Sequence, residues 1–205
     1  HSLMKYPYLK TILQCLCMFA SINAFAETVK IDGIYYNLVT EIKEAEVTKN
    51  PNKYTGIVNI PETVTYNNVT YSVTSIGDQA FYLCRDLTSV TIGNSVTSIG
   101  KDAFCCCYGL TSATIPNSLT SIGEGAFYNC RGLTSVTIGN SVTSIGESAF
   151  YDCSGLTSVT IPNSVTSIRY NAFYKCSGLT SVTIGNGVKI IEYYAFADCA
   201  ELTDV

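Results

Sequence analysis

Apolar residues recur along most of this chain with a fixed period of 23. In the unit "LTSVTIGNSVTSIGESAFYDCSG" (residues 133–155) they occupy positions 1, 4, 6, 10, 13, 17, 18 and 21: Leu133, Val136, Ile138, Val142, Ile145, Ala149, Phe150 and Cys153. The same text returns 23 residues later as "LTSVTIPNSVTSIRYNAFYKCSG" and stands 23 residues earlier as "LTSATIPNSLTSIGEGAFYNCRG". Full units begin at Leu87, Leu110, Leu133, Leu156 and Leu179, and "LTDV" opens another at Leu202. Phe81, Phe104, Phe127, Phe150, Phe173 and Phe196 keep the same step, as do Cys84, Cys107, Cys130, Cys153, Cys176 and Cys199. Such constancy means one structural unit stacked on itself.

Within a unit, Val136 and Ile138 alternate with Ser135 and Thr137, the period-2 pattern of a strand with one buried face. Position 7 is Gly or Pro and position 8 is Asn, here Gly139 and Asn140, so a turn ends the strand. "VTSI" predicts a second short strand. "ESAFYDC" spaces its apolar residues for a helical or 3₁₀ turn. A coil with Leu, Val, Ile and Phe along one side is not stable by itself; stacking at about 4.7–4.9 Å hides those side chains, each worth on the order of 1.5–3 kcal/mol when fully buried. The expected fold is a β-rich α/β repeat solenoid over residues 73–205. Residues 27–72 do not repeat. "VKIDGIYYNL" and "VTYNNVTYSV" each set a turn pair, Asp32-Gly33 or Asn67-Asn68, between extended runs, the signal for β-hairpins. These residues are read as an N-terminal cap over the first coil, because an uncovered end is an open sheet edge.

The pattern L-x-x-V-x-I-[GP]-N-x-V-x-x-I-G-x-x-A-F-x-x-C-x-x resembles the 23-residue, treponemal-type leucine-rich repeat of BspA-like bacterial surface proteins, over about residues 56–205. The resemblance implies a curved solenoid with a parallel sheet on its concave side, and adhesion to host matrix proteins or other cells. Cys105 departs from it where four other units have Tyr, Arg169 and Glu192 replace Gly at position 14, and "KIIEYY" breaks the Ser/Thr texture of the last full unit.

The opening "HSLMKYPYLKTILQCLCMFASINAFAETVK" places Lys5 and Lys10 before an apolar run and Ala24-Phe25-Ala26. This is the layout of a secretory signal peptide over residues 1–26; the run is short of the roughly 20 residues a spanning helix needs. The absence of a matching cap after Asp204 leads to the expectation of a fragment, or of an end that relies on a neighbour. Removing residues 1–26 takes two lysines and no acid, leaving 10 basic and 16 acidic residues and a formal charge of −6. Nucleic acid is therefore not an expected partner. The single histidine, His1, leaves with the leader, which excludes histidine-based triads, dyads and metal sites from the rest.

Candidate chemistry is correspondingly thin. The cysteine ladder is spaced along a line and points one way, so it reads as small buried hydrophobes ahead of metal ligands or disulfides; in "CCC", Cys105 or Cys106 is the reactive outlier. Asp78, Asp102, Glu124, Glu147 and Asp152 stand on a polar edge without Lys or Arg neighbours that would split their pKa values for acid/base work. No enzyme activity, metal or cofactor is expected. What remains is surface. Ser89, Ser112, Ser135, Ser158 and Ser181 form one exposed row and Thr91, Thr114, Thr137, Thr160 and Thr183 a second, which either suit an exposed strand or make a polar binding face. Tyr82, Tyr128, Tyr151 and Tyr174 form a third array of aromatic anchors. The expected function is non-enzymatic recognition of proteins by a secreted or cell-surface molecule. A glycan-binding or glycan-degrading solenoid, an ice-binding face and a structural spacer are the alternatives.

Overall fold

The computed structural model describes residues 27–205, and the leader expected over residues 1–26 lies outside them. The chain opens with β1 (Glu27–Ile31), β2 (Ile34–Val39), β3 (Glu44–Val47), β4 (Gly56–Ile60), β5 (Thr63–Tyr66) and β6 (Val69–Ile76). β1 and β2 pair antiparallel across Asp32 and Gly33, at φ 47° and 87°. β5 and β6 do so across Asn67 and Asn68, at φ 48° and 61°. Two consecutive positive φ values make the turn twist that two-residue hairpins require. The resulting sheet runs β1-β2-β3-β6-β5, with β3 and β6 parallel.

Each following coil gives one longer and one two-residue strand. These are β7 (Leu87–Ile92) and β8 (Ser98–Ile99), β9 (Ser112–Thr114) and β10 (Ser121–Ile122), β11 (Ser135–Thr137) and β12 (Ser144–Ile145), β13 (Ser158–Ile161) and β14 (Ser167–Ile168), and β15 (Ser181–Ile184) and β16 (Ile190–Ile191). Strands of successive coils pair in parallel at the 23-residue step: Ser135 lies beside Ser112, and Ser144 beside Ser121. The repeat sheet begins inside residues 27–72, since β4 pairs in parallel with β7. Tyr54, just before β4, lays its ring 4.5 Å from Phe81 and is held by its hydroxyl, which donates to the Thr48 carbonyl and accepts from the Tyr35 amide.

The core is a column. Leu87, Leu110, Leu133, Leu156 and Leu179 are fully buried, and the Phe81 to Phe173 rings stack with centroids 4.7 to 5.3 Å apart. Each register thiol from Cys107 onward donates to the Phe carbonyl of the preceding coil, as Cys153 Sγ does to Phe127 O at 3.1 Å. A small side chain with a weak S–H donor suits that slot. All eight cysteines among the described residues are free.

The helical turn expected over "ESAFYDC" is absent, and no helix occurs among the described residues. Position 16 of every unit (Gln79, Asp102, Gly125, Ser148, Asn171, Tyr194) has φ between 53° and 60°, and position 20 (Leu83, Cys106, Asn129, Asp152, Lys175, Asp198) between 53° and 62°. Left-handed residues four apart break any right-handed helix. The N–H groups then alternate: those of Ala149, Tyr151 and Cys153 close tight turns onto Gly146, Ser148 and Phe150, while those of Ser148, Phe150 and Asp152 donate to Tyr170, Ala172 and Tyr174 of the next coil. The segment is thus a third side of coil-to-coil bonding. A left-handed conformation costs a non-glycine residue about 1–2 kcal/mol. Lys175→Gly is expected to relieve part of this and raise stability by about 0.5–1 kcal/mol, read as a higher urea midpoint; a lower midpoint would show that the lysine side chain contributes more than its backbone costs.

Candidate functional site

The parallel register sets Ser89, Ser112 and Ser135 side by side, and likewise Thr91, Thr114 and Thr137; Ser158 faces Ser181 and Thr160 faces Thr183. All five threonines of this row are exposed, and the serines are exposed or half-buried. Their hydroxyls differ from a second set of threonines whose role sequence reasoning missed. At positions 2 and 11 the Thr hydroxyl donates to the carbonyl of its own counterpart one coil back: Thr111 to Thr88, Thr134 to Thr111, Thr143 to Thr120, Thr166 to Thr143 and Thr180 to Thr157. These hydroxyls are tied into the stack. Those of the two candidate rows form no hydrogen bond within the described protein and point outward from the strand, free to meet water or a ligand. The recurrence of Thr at positions 2 and 11 was the available signal.

The strand face is not continuous. β4, β7, β9 and β11 form one sheet and β13 with β15 another. The bonds Thr134 N–H to Thr111 O and Thr180 N–H to Thr157 O flank the neighbouring junctions, but Thr157 has no such bond to Thr134. The two-residue strands stay paired across the same junction, Ser144 with Ser167, and Phe127 and Phe150 still donate to Ala149 and Ala172. The stack is therefore open on one side only. A cleft of about 860 Å³ lies there, lined by Ser135, Thr137, Asn140, Ser158, Thr160 and Asn163 among others. At its floor Val136 is only partly covered, whereas Val90, Ala113, Val159 and Val182 are each 3% exposed. Ser164 Oγ is buried without a partner, while its equivalent Ser118 donates to Val96 O. Pro162 lacks the N–H that Gly185 donates to Ile161 O. Pro116 lacks one too, and its junction stays closed, so the proline does not by itself account for the break.

The tyrosine array is a different surface. Tyr128 and Tyr151 stack at 4.6 Å with planes 10° apart, and Tyr151 and Tyr174 meet at 5.1 Å and 40°. Tyr151 thus has a tyrosine ring on both sides, while Tyr128 and Tyr174 each meet it with one side. Tyr82 stands apart, two coils from Tyr128 with Cys105 between, and Lys53 Nζ approaches its ring at 5.8 Å. This edge is charged. Contrary to the expectation that its carboxylates lack basic neighbours, Lys101 pairs with Glu124 at 2.8 Å and Arg131 with Asp152 at 2.7 Å. Exposed pairs of this kind are worth about 0–1 kcal/mol each. Hydrogen bonding to Asp198 raises the Tyr174 hydroxyl pKa, and burial raises that of Tyr128. Among the described residues no three His, Cys, Asp or Glu side chains converge to hold a metal, and no helix is long and apolar enough to cross a membrane.

Residues 74–203 match the BspA type leucine-rich repeat region in six copies. A leucine-rich repeat protein from Bacteroides ovatus is similar at 31% identity and a TM-score of 0.68, over 86% of this chain and 52% of its own. The T. pallidum leucine-rich repeat protein is similar at 26% identity and a TM-score of 0.72, over 86% of this chain and 91% of its own. A leucine rich cell surface protein of Faecalibacterium prausnitzii is 32% identical with a TM-score of 0.62, over 86% of this chain and 53% of its own. This chain therefore spans about half the length of the Bacteroides and Faecalibacterium proteins. No curated protein matches it. With a 23-residue register, a stacked Phe column and six matched copies, the chain belongs to the bacterial BspA-type leucine-rich repeat family.

Proposed function

We propose that the protein is a non-enzymatic recognition module, exported through residues 1–26, capped by residues 27–72 and displayed outside the cell, where the sheet face adheres to host matrix proteins or to other cells. The observation that carries this reading is the double row of outward, internally unpaired Ser and Thr hydroxyls, opened into a cleft between β11 and β13. No charged side chain lines that cleft, so contact there rests on hydrogen bonding and shape, and salt has little to screen. The extracellular setting is supported by the cell-surface description of the similar F. prausnitzii protein. The mutual stacking of Tyr128 and Tyr151 weighs against a glycan lying flat on that row.

Because the rows repeat at each coil, a ligand engages several rungs together, and affinity grows by multivalency. Thr137→Ala is expected to weaken binding to immobilised fibronectin or fibrinogen by less than about threefold. Replacing Ser135, Thr137, Ser158 and Thr160 together by alanine should weaken it by about tenfold or more. Circular dichroism must show the stack intact. An unchanged affinity in the quadruple variant, with a large loss in Tyr128/Tyr151/Tyr174→Ala, would move the site to the tyrosine edge.

A further inference from the structure

The cysteine run at residues 105–107 divides into two environments. Cys107 belongs to the core ladder: it is fully buried and its thiol donates to Phe81 O at 3.1 Å. Cys105 and Cys106 do not. Cys105 stands at position 19, where Tyr82, Tyr128, Tyr151 and Tyr174 stand in other coils, and Cys106 occupies the left-handed position 20 at φ 62°. The left-handed turn brings the two side chains together, with Sγ atoms 3.4 Å apart. No other coil places two thiols at these positions. Cys105 is buried at 7% exposure, Cys106 is partly exposed, and Asn129 Nδ2 lies 3.6 Å from Cys106 Sγ.

We propose that Cys105 and Cys106 form a vicinal dithiol, a modification site that a low-molecular-weight disulfide converts reversibly into a disulfide spanning one peptide bond. The accessible Cys106 reacts first. Its thiolate attacks one sulfur of the reagent RSSR, an S–S bond breaks, and RS⁻ leaves. Cys105 then gives up its proton and attacks Cys106 Sγ, expelling the second RS⁻. The protein loses two protons and two electrons, and RSSR leaves as two RSH. Burial raises the Cys105 pKa, which fits its role as the second, resolving thiol.

Reversibility follows from geometry. Adjacent Cα atoms are about 3.8 Å apart across a trans peptide, inside the minimum of about 4.4 Å that unstrained disulfides adopt. A strained disulfide is easily reduced. The ring would therefore open again in a mild dithiol, unlike a structural cross-link.

The experiment treats the folded full chain, and its C105S and C106S variants, with oxidised glutathione at neutral pH and maps the thiols by peptide mass spectrometry. In the unsubstituted chain the peptide holding residues 105–107 should lose two hydrogens and carry no glutathione. C105S should retain glutathione on Cys106, and C106S should leave Cys105 unmodified. Dithiothreitol should restore every mass. Persistent glutathione on Cys106 of the unsubstituted chain, a bond that includes Cys107, or no reaction at either residue overturns the proposal. Should C105S lose its native circular dichroism, the bond assignment in the unsubstituted chain decides the matter.

Discussion

Phe150→Ala is expected to lower the stability of the folded chain by about 3–5 kcal/mol, measured from urea denaturation. The ring is fully buried and stacks on both neighbours, 5.3 Å from Phe127 and 5.1 Å from Phe173. Removing it strips contacts from two interfaces at once, and the cavity has little scope to collapse. Both adjacent backbones are pinned: Phe150 N–H donates to Ala172 O, and Phe127 N–H to Ala149 O. Phe150 O also accepts from Cys176 Sγ, so the carbonyl side of the residue stays anchored. Thr137→Ala, on the exposed face, should change stability by no more than about 0.5 kcal/mol. Equal losses at the two positions would mean that the inside and outside of the coil are misassigned.

Raising the pH above about 9 is expected to unfold the protein steeply. Cys84, Cys107, Cys130, Cys153 and Cys176 are buried. Burial pushes Cys84 from the ordinary 9.0 up to about 11 and raises Cys130, Cys153 and Cys176; a hydrogen bond with Cys130, then burial, raises Cys107. A thiol whose folded pKa exceeds its unfolded one stabilises the fold fully below the unfolded value, and that contribution drains as pH climbs toward the folded value. Between the two values each such thiol costs about 1.4 kcal/mol per pH unit. Five acting together would exhaust a typical stability of about 5–15 kcal/mol within one to two pH units. Tyr54, pushed by burial up to about 12, adds to the loss once pH passes 10.0. Urea midpoints taken between about pH 8 and 11 read the slope directly; Cys153→Ala should make it shallower by one thiol. A flat profile over that range would show that the thiols ionise in place and are not buried.

The period, the inward positions and the hairpin pairs Asp32-Gly33 and Asn67-Asn68 were legible in the sequence, because each depends on local chemistry that one unit displays. The left-handed positions were not. Gln79, Leu83, Lys175 and Tyr194 are not residues that announce a positive φ, and an Ala-Phe-x-x-Cys spacing fits a helix as well as a chain of turns. What holds these residues left-handed is the next coil, whose carbonyls receive the N–H groups of Gln79, Leu83 and Lys175. The candidate rows were legible as positions. That Thr134 and Thr143 are tied while Thr137 is free depends on where the neighbouring carbonyls lie. The break between β11 and β13 was invisible, since the two units concerned are nearly the same text.

Bonding on three sides at one common step also governs how such a chain can change length. Excising 23 consecutive residues from the middle of the stack brings like positions back into line, Phe on Phe and Thr on Thr. Excising 22 leaves one coil a residue too long, and in that coil the strand faces and the tied threonines cannot all stay in line, while the coils beyond keep their mutual register. Length in this molecule is therefore quantised: whole coils can be gained or lost by recombination between near-identical segments without loss of register, while a single-residue slip disrupts the coil in which it falls, so copy number is the variable most open to evolution.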